Sequence, residues 1–472
     1  MISSPLLDIF KHLTKQDRNA LNDFVRSPFH NKREDVILLF QYINENIDTP
    51  LNLKKETAYT RVFPTAKQYD DKAMRYTMSF LMRCIQDFLM YNELKNNDLD
   101  KDIRLNRALR LRGADKAYQK ALTESHHALE AQPLRHADFH LHNFQLQLEE
   151  YQFKYKKQRS GELRLQEISD SLTDFYVTEL LRQACAMHSH TSVSQKTYTQ
   201  VFLEPILEKI ESGVYTCPPS VSAYFHAYKA LTDNSQLVDL PAGIGRFSAL
   251  KKIIIHDEHL FPKNEIRDLY LLAINFCIKK LNSGIRIFET EALDLYKNGL
   301  QNGAILENKT LSPFTYKNVM MLALKHGEHA WAEQFLLNFK KYLPEREREN
   351  LFKYNFALFH FRQKDYPKAM QLLQEVTLKE VLYNLDARRV LMCIYYELGE
   401  YAALDSLLES FTVFLHRQKD LGYHKNNYQN LIKFVKKLLF MDLKNDSLKA
   451  QLRREIDETK ELTERDWLLA QL

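Results

Sequence analysis

Histidines at helical spacing are the first residues in the chain that could do chemistry. His136 and His140 lie four positions apart, which would place two imidazoles on one face of a helix, and His142 is close by. A zinc site needs a third and usually a fourth ligand, and this stretch offers no clear candidate and no HExxH motif. The pair His256 and His259 has the same weakness. We therefore expect these histidines to be structural, and the sequence predicts no metal and no other cofactor.

Cysteine beside histidine is the second arrangement with chemical potential. Cys185 is followed by His188 and His190, which would suit a thiol nucleophile and its base. Catalytic partners meet in space and need not be close in sequence, and no further residues mark an active site. We expect Cys185 to be a packed helical residue and the protein not to be an enzyme.

Basic clusters in the N-terminal half have the composition of an anion-binding surface. The stretch KYKKQR at 154–159 follows Tyr151 and Phe153 and contains Tyr155, and five cations occupy one short predicted helix before it. Such clusters can track phosphates while aromatic rings stack on bases. Acidic residues lie beside both clusters, so a solvated helix face is the simpler interpretation. Association with nucleic acid through these helices is kept as an alternative hypothesis. The five cations are Lys101, Arg104, Arg107, Arg110 and Arg112.

Composition indicates which elements must position these residues. Among 472 residues there are only 11 Gly and 13 Pro, so loops must be short and backbone breaks few. The better helix formers dominate, and 12% aromatic residues supply large side chains for packing between helices. The net charge of +5 is too small for a dedicated nucleic-acid surface. These features predict an all-α protein.

Cysteine usage and hydropathy favour a reducing compartment. The five cysteines are scattered and form no CxxC pair, which argues against a disulfide framework. Asp8 and Lys11 interrupt what would have to be the apolar region of a signal peptide. No run of 18 apolar residues occurs, so no membrane span is predicted. The expected location is the cytoplasm.

Proline, glycine and periodicity divide the chain into four predicted parts. These are an N-terminal helical unit at 1–95, long-helix hairpins at 98–215, a repeat array at 219–445 and a C-terminal capping helix at 446–472. The segment LPAGIGRF lacks phosphate-binding spacing and is predicted to be a loop before the next helix. The helices of the array are predicted at about 220–232, 245–256, 265–281, 286–299, 314–326, 328–342, 347–363, 367–378, 382–398 and 400–418.

The N-terminal unit contains two local signals. Thr14 and Asp17 have the spacing of a capping box at the start of a helix. In the loop SPFHNKRED, Pro28 should end that helix, and we expect Phe29 to be buried while His30 and Asn31 turn the chain. Asn31 tolerates the left-handed backbone that such turns often need. On this interpretation the loop is a corner between helices and His30 has no functional role.

A repeated turn motif is the strongest pattern in the second half. KDYPKAMQLL at 364–373 matches GEYAALDSLL at 399–408 after 35 residues, and GEHAWAEQFL at 327–336 precedes the first of these two segments by 37. In each segment a two-residue turn is followed by an aromatic residue or His, by a small or apolar residue three positions later and by Leu four positions after that. We expect the small or apolar residue to let the second helix of a hairpin approach the first, and the leucine to fill the groove against the next repeat. The small or apolar residues are Ala332, Ala369 and Leu404, and the leucines are Leu336, Leu373 and Leu408.

This motif resembles tetratricopeptide repeats in a degenerate form. Ala357 fits the small residue that the family prefers in its first helix, whereas Met320 and Met392 replace it in the neighbouring repeats. The phrases SPFHNK and YDDKAMRYTMSFL are also similar to those of uncharacterised bacterial helical-repeat proteins. The resemblance implies a TPR-like α-solenoid, a right-handed superhelix of antiparallel helical hairpins.

The concave face of such a solenoid is the expected functional surface. First helices line it, and surfaces of this kind hold an extended peptide or a helix of another protein. We expect basic side chains there to bind acidic groups and tyrosine rings to supply rigid contact area. The sequence therefore predicts a protein-interaction scaffold or adaptor whose partner is another protein or peptide. Repeat spacing places six residues on this face: Lys317, Lys325, Tyr354, Arg362, Arg389 and Tyr396.

Overall fold

A computed structural model of the chain is helical throughout. It describes residues 4–49, 53–157, 162–194, 196–232, 240–376, 380–418, 421, 423–442 and 445–472. Helices account for 78% of the chain, and those ranges contain one isolated β-bridge, Glu307 to Thr310, and no strand. The all-α prediction is confirmed. No helix in these ranges combines the length and the apolar character that a membrane span requires.

The chain forms two compact units, Met1–Glu179 and Leu180–Leu472. The first contains eight described helices and the start of a ninth, which continues into the second unit. Their bounds are α1 Pro5–His12, α2 Lys15–Arg26, α3 Glu34–Asn46, α4 Lys55–Val62, α5 Asp71–Asn96, α6 Asp98–Leu111, α7 Asp115–Ala131, α8 Ala137–Lys157 and α9 Leu165–Ser194.

Helices of the second unit follow the predicted bounds closely. Three differences stand out. α12 starts at Leu240, so LPAGIGRF belongs to the helix and the loop predicted there is wrong. The helix expected at 328–342 ends at Phe339 before a 3₁₀ turn, and the helix expected at 367–378 ends at Gln374. The bounds are α10 Leu203–Glu211, α11 Pro219–Thr232, α12 Leu240–His256, α13 Lys263–Asn282, α14 Ile287–Gln301, α15 Pro313–Lys325, α16 His329–Phe339, α17 Arg348–Arg362, α18 Tyr366–Gln374, α19 Val381–Glu397, α20 Tyr401–Arg417, α21 Tyr423–Phe440, α22 Asp446–Glu458 and α23 Arg465–Ala470.

Consecutive helices of the second unit pack in pairs. The pairs are α11 with α12, α13 with α14, α15 with α16, α17 with α18 and α19 with α20. First helices also pack on the first helix of the next pair, as α15 does on α17 and α17 on α19. Each pair therefore contacts mainly its neighbours, which is the packing of a helical-repeat array.

The repeated turn has the same backbone geometry in three hairpins. Gly327, Lys364 and Gly399 all take a left-handed conformation, with φ of 79°, 62° and 71°. In each hairpin the next residue donates its N–H to the carbonyl five residues earlier at 2.9 Å, which closes the first helix. The three small or apolar positions and the three leucines of the motif are all buried. The sequence echo is thus a structural repeat.

In the N-terminal unit the predicted capping box is present, but the loop that follows α2 leaves exposed the residue that was predicted to be buried. The capping box is confirmed, since Asp17 N–H donates to Thr14 Oγ1 at 3.1 Å and Thr14 N–H to Asp17 Oδ2 at 2.9 Å. Phe29 is 90% exposed, so its predicted burial is wrong. His30 stacks on Phe24 instead, with ring centroids 3.7 Å apart.

Asn31 fixes this corner through its side chain. Its amide donates to the carbonyls of Val25 and Arg33 at 2.9 and 3.0 Å, and its Oδ1 accepts from the Arg33 N–H at 3.0 Å. The turn does not use the left-handed backbone that asparagine tolerates, because Asn31 is not among the residues with positive φ. Side-chain hydrogen bonds to the backbone close the turn without backbone strain.

The capping helix predicted at 446–472 is divided. α22 ends at Glu458, and Glu464, with a left-handed φ of 55°, precedes the short α23. We call residues 459–472 the C-terminal segment. Leu468, in this segment, belongs to the same hydrophobic cluster as Leu404 of α20 and Leu431 of α21. The segment therefore covers the apolar end of the array, and the break in the helix lets it turn back over the first helices of earlier repeats.

Candidate functional site

Five of the six residues predicted for the partner surface converge on acidic and aromatic residues of the chain itself. The six lie on α15, α17 and α19, the first helices of three successive hairpins. Asp386 on α19 and the C-terminal segment supply the groups that they contact. The sixth, Lys325, lies apart and pairs with Glu289.

Asp386 is the centre of a buried polar cluster. The Lys317 ammonium donates to its Oδ2 at 2.5 Å, the Arg389 guanidinium to its Oδ1 at 2.6 Å, and the Tyr354 hydroxyl also donates to Oδ2. We call these four residues the Asp386 cluster. Burial disfavours the ionised carboxylate, but Arg389 and Lys317 more than offset that effect, so the pKa of Asp386 lies below its ordinary value.

Glu464 links the C-terminal segment to the same surface. Its carboxylate, 9% exposed, accepts from Arg362 at 3.1 Å and from Arg389. Arg389 therefore lies between two acids, one on its own helix and one that is 75 residues away in sequence. A left-handed backbone costs a non-glycine residue about 1 kcal/mol, and the two guanidinium contacts stabilise Glu464 in that conformation.

Trp467 adds an aromatic contact one helical turn later. Its indole packs edge-on against Tyr396, with centroids 5.4 Å apart, and its Nε1 donates to Glu397 Oε1 at 2.9 Å. Gln471 donates to the same carboxylate oxygen at 3.1 Å. The C-terminal segment thus presents a carboxylate and an indole to the first helices, which is the chemistry predicted for an external ligand.

Two of the predicted residues are not accessible to a partner. Tyr354 is fully buried, with a pKa raised well above its ordinary value by burial and by Asp386, and Arg389 is only 5% exposed. Their placement on an exposed face is therefore wrong. Both residues lie on first helices of hairpins, Tyr354 on α17 and Arg389 on α19, but spacing does not show which acids contact them. Asp386, three positions before Arg389, was detectable as an i, i+3 ion pair, whereas nothing local marks Glu464.

Four of the histidine and cysteine candidates contact other groups of the chain. His136, His140 and His142 pair separately with Asp138, Asp174 and Asp100, and no group of three or more metal-ligating side chains occurs within the described ranges. The Cys185 thiol donates to the Tyr224 carbonyl at 3.7 Å. Burial raises its pKa, which keeps it protonated and a poor nucleophile.

Several cations of the basic clusters are neutralised within the first unit. Lys101 pairs with Asp98, Arg110 with Glu149 and Lys154 with Glu150. Residues 158 and 159 lie outside the described part of the chain. Arg104, Arg107 and Arg112 differ from these three, since none of them pairs with an acid among the described residues, and Arg112 donates to the Ala108 carbonyl instead.

No protein-family model matches the chain, and a search of curated proteins found no relative. The resemblance to tetratricopeptide repeats therefore depends on the repeated turn and on the pairwise packing of the helices.

Proposed function

We propose that the second unit is a TPR-like right-handed superhelix that serves as a non-enzymatic protein-interaction scaffold. Its ligand is a peptide or helix that carries an acidic residue and an aromatic residue one turn apart. The surface for this ligand is formed by the first helices α17 and α19, and the chain's own C-terminal segment occupies it in the absence of a partner.

The contacts of Glu464 and Trp467 are the observation that supports this proposal. A carboxylate between two guanidinium groups and an indole against a tyrosine ring are the contacts that hold tight peptide complexes. The segment that makes them is short, and its helix α23 has six residues. An isolated helix of that length has almost no stability in water, so the segment depends on its docking contacts.

Arg362 and Tyr396 are the residues of this surface that a partner would use directly. The Arg362 side chain is 38% exposed, and it lies at the edge of the surface where it binds Glu464. The buried part of this surface acts indirectly. The Asp386 cluster, which contains Lys317, Tyr354 and Arg389, fixes the position of the Arg389 guanidinium.

Release of the C-terminal segment tests the proposal. We expect the full-length Glu464→Ala/Trp467→Ala variant to bind a fluorescent peptide of residues 459–472 added in trans, measured by fluorescence anisotropy. Wild type should bind this peptide at least tenfold more weakly, because its own segment competes. Lysate proteins enriched by the variant over wild type then become candidate partners.

A matched peptide distinguishes docking that depends on the carboxylate from non-specific apolar binding. The same peptide with Glu464→Gln keeps its apolar groups but lacks the charge, and we expect it to bind at least tenfold more weakly. The proposal fails if the folded variant binds neither peptide, or if wild type and variant bind the native peptide equally well.

A further inference from the structure

A cleft in the first unit is lined by Arg104 and Arg107, two arginines that have no acidic partner in the described part of the chain. It lies between α6 and α8 and has a volume of about 540 Å³. Arg104 and Arg107 line one side, and Gln145 and Gln152 line the other. Their positions follow from helix geometry, because residues three and seven apart return to the same face.

The charges of this arginine cleft are arranged to receive an anion. Arg110 also lines it, but its guanidinium is held by Glu149, with Nε to Oε2 at 2.6 Å and Nη2 to Oε1 at 3.3 Å. Asp100, at one end, is 3.3 Å from His142. Arg104 and Arg107 are both exposed, and neither contacts an acidic side chain in the described part of the chain. Two guanidinium groups one turn apart repel each other unless an anion lies between them.

Phosphate fits this arrangement better than a carboxylate does. A phosphate group has three acceptor oxygens and a charge of about −1.5 to −2, so it can accept from two guanidinium groups at once. One guanidinium satisfies both oxygens of a carboxylate. The amides of Gln145 and Gln152 supply additional donors from the opposite side.

The size of the cleft indicates a ligand larger than phosphate alone. Its volume lies within the range of about 300 to 1,000 Å³ that is usual for small-molecule sites. Ile103, Leu111 and Leu148 provide apolar lining beside the polar groups. We propose that the arginine cleft binds a phosphate ester of nucleotide size through Arg104 and Arg107.

Calorimetric titration of the full-length protein with ADP tests this proposal. At low salt we expect ADP to bind wild type, and the Arg104→Ala and Arg107→Ala variants to bind it at least tenfold more weakly. Arg112→Ala is the matched control, since Arg112 lies on the same stretch of chain but donates to the Ala108 carbonyl and does not line the cleft. It removes the same charge and should change the affinity less than twofold.

Two further probes define the ligand class. Succinate, which carries carboxylates and no phosphate, should bind at least tenfold more weakly than ADP. A short single-stranded oligonucleotide should bind no more tightly than ADP. Circular dichroism and thermal melting check that all variants remain folded.

Four results would overturn the proposal: no ADP binding to folded wild type, equal losses in Arg112→Ala and Arg107→Ala, equal binding of succinate, or tighter binding of the oligonucleotide. The last two would assign the cleft to a carboxylate ligand or to nucleic acid.

Discussion

The Asp386 cluster and the arginine cleft use the same kind of side chain in opposite ways. In the cluster, Lys317 and Arg389 lie against an acid that the fold supplies, and Arg389 and Arg362 bind a second one, Glu464. In the cleft, Arg104 and Arg107 lie one turn apart, and neither forms an ion pair with an acidic side chain among the described residues. Both sets follow a regular spacing in the sequence, the first that of the repeats and the second that of a helix, so spacing alone does not distinguish a cation that stabilises the fold from one that is available to a ligand. The acids around each cation make that distinction.

Removal of Asp386, the central acid of the cluster, should have the largest effect on the stability of the protein. Asp386→Asn leaves Arg389 and Lys317 facing a neutral amide in a buried site, and breaking a buried ion pair in this way costs about 3–5 kcal/mol of unfolding free energy. Urea denaturation measures the loss. Asp405→Asn, at an exposed position on α20, should change stability by less than about 0.5 kcal/mol. A loss below 1 kcal/mol for Asp386→Asn would mean that the cluster contributes little to the fold.

The same contrast exists within helix α6. Arg110 and Glu149 have side chains only 7% and 11% exposed, so Arg110→Ala strands a buried carboxylate and should cost about 3 kcal/mol. Arg107→Ala, one turn earlier, removes an exposed side chain without an acidic partner and should change stability by less than about 0.5 kcal/mol. Thermal and urea unfolding of the two variants measure the difference. Equal losses would contradict the assignment of Arg107 to a ligand and not to the fold.

Acid should weaken the Asp386 cluster specifically. The pKa of Asp386 in the folded protein lies below the ordinary value near 3.8, so its contribution to stability is complete above that value and declines as the pH falls below it. By pH 3 the loss should be about 1 kcal/mol. The difference in unfolding free energy between wild type and Asp386→Asn should therefore shrink between pH 6 and pH 3. Wild type and Arg107→Ala should change in parallel, and a constant gap between wild type and Asp386→Asn would refute the depressed pKa.

Features set by neighbouring residues could be predicted from the sequence. Gly327 and Gly399 mark the left-handed turns, and Pro313 marks the start of α15, because each residue type restricts or permits one local conformation. The 3.6-residue period then places Ala369 and Leu373 in the packed face. The helices and their pairing follow from such signals.

Features set by distant contacts could not be predicted. Glu464 binds Arg362 across 102 residues, and no local pattern indicates that contact. Lys364 adopts the left-handed turn without glycine, and the hydrogen bond from the Asp365 N–H to the His360 carbonyl closes this turn as its counterparts close the other two. Phe29 was expected to be buried, but its ring is exposed to solvent. His30 packs on Phe24, and the Asn31 amide donates to the Val25 carbonyl, so these two residues fix the turn instead.

The smallest expected effect comes from giving Arg104 and Arg107 the acidic partner that they lack among the described residues. Gln145→Glu places a carboxylate on the side of the cleft opposite Arg104 and Arg107. Ion pairs at partly exposed positions add only about 0.2–1 kcal/mol, so urea denaturation should show a gain of that size at low salt and none at high salt.

The effect on the ligand should be much larger than the effect on the fold. A carboxylate that neutralises the two arginines competes directly with a phosphate, so ADP affinity should fall at least tenfold. Gln119→Glu, at an exposed position on α7 away from the cleft, adds the same charge and should leave ADP affinity within twofold. If Gln145→Glu leaves ADP binding unchanged, the cleft does not use these arginines. If the two variants weaken it equally, only the net charge matters and the cleft has no role. A loss confined to Gln145→Glu would show that one added acid converts a ligand-binding pair of arginines into a structural one.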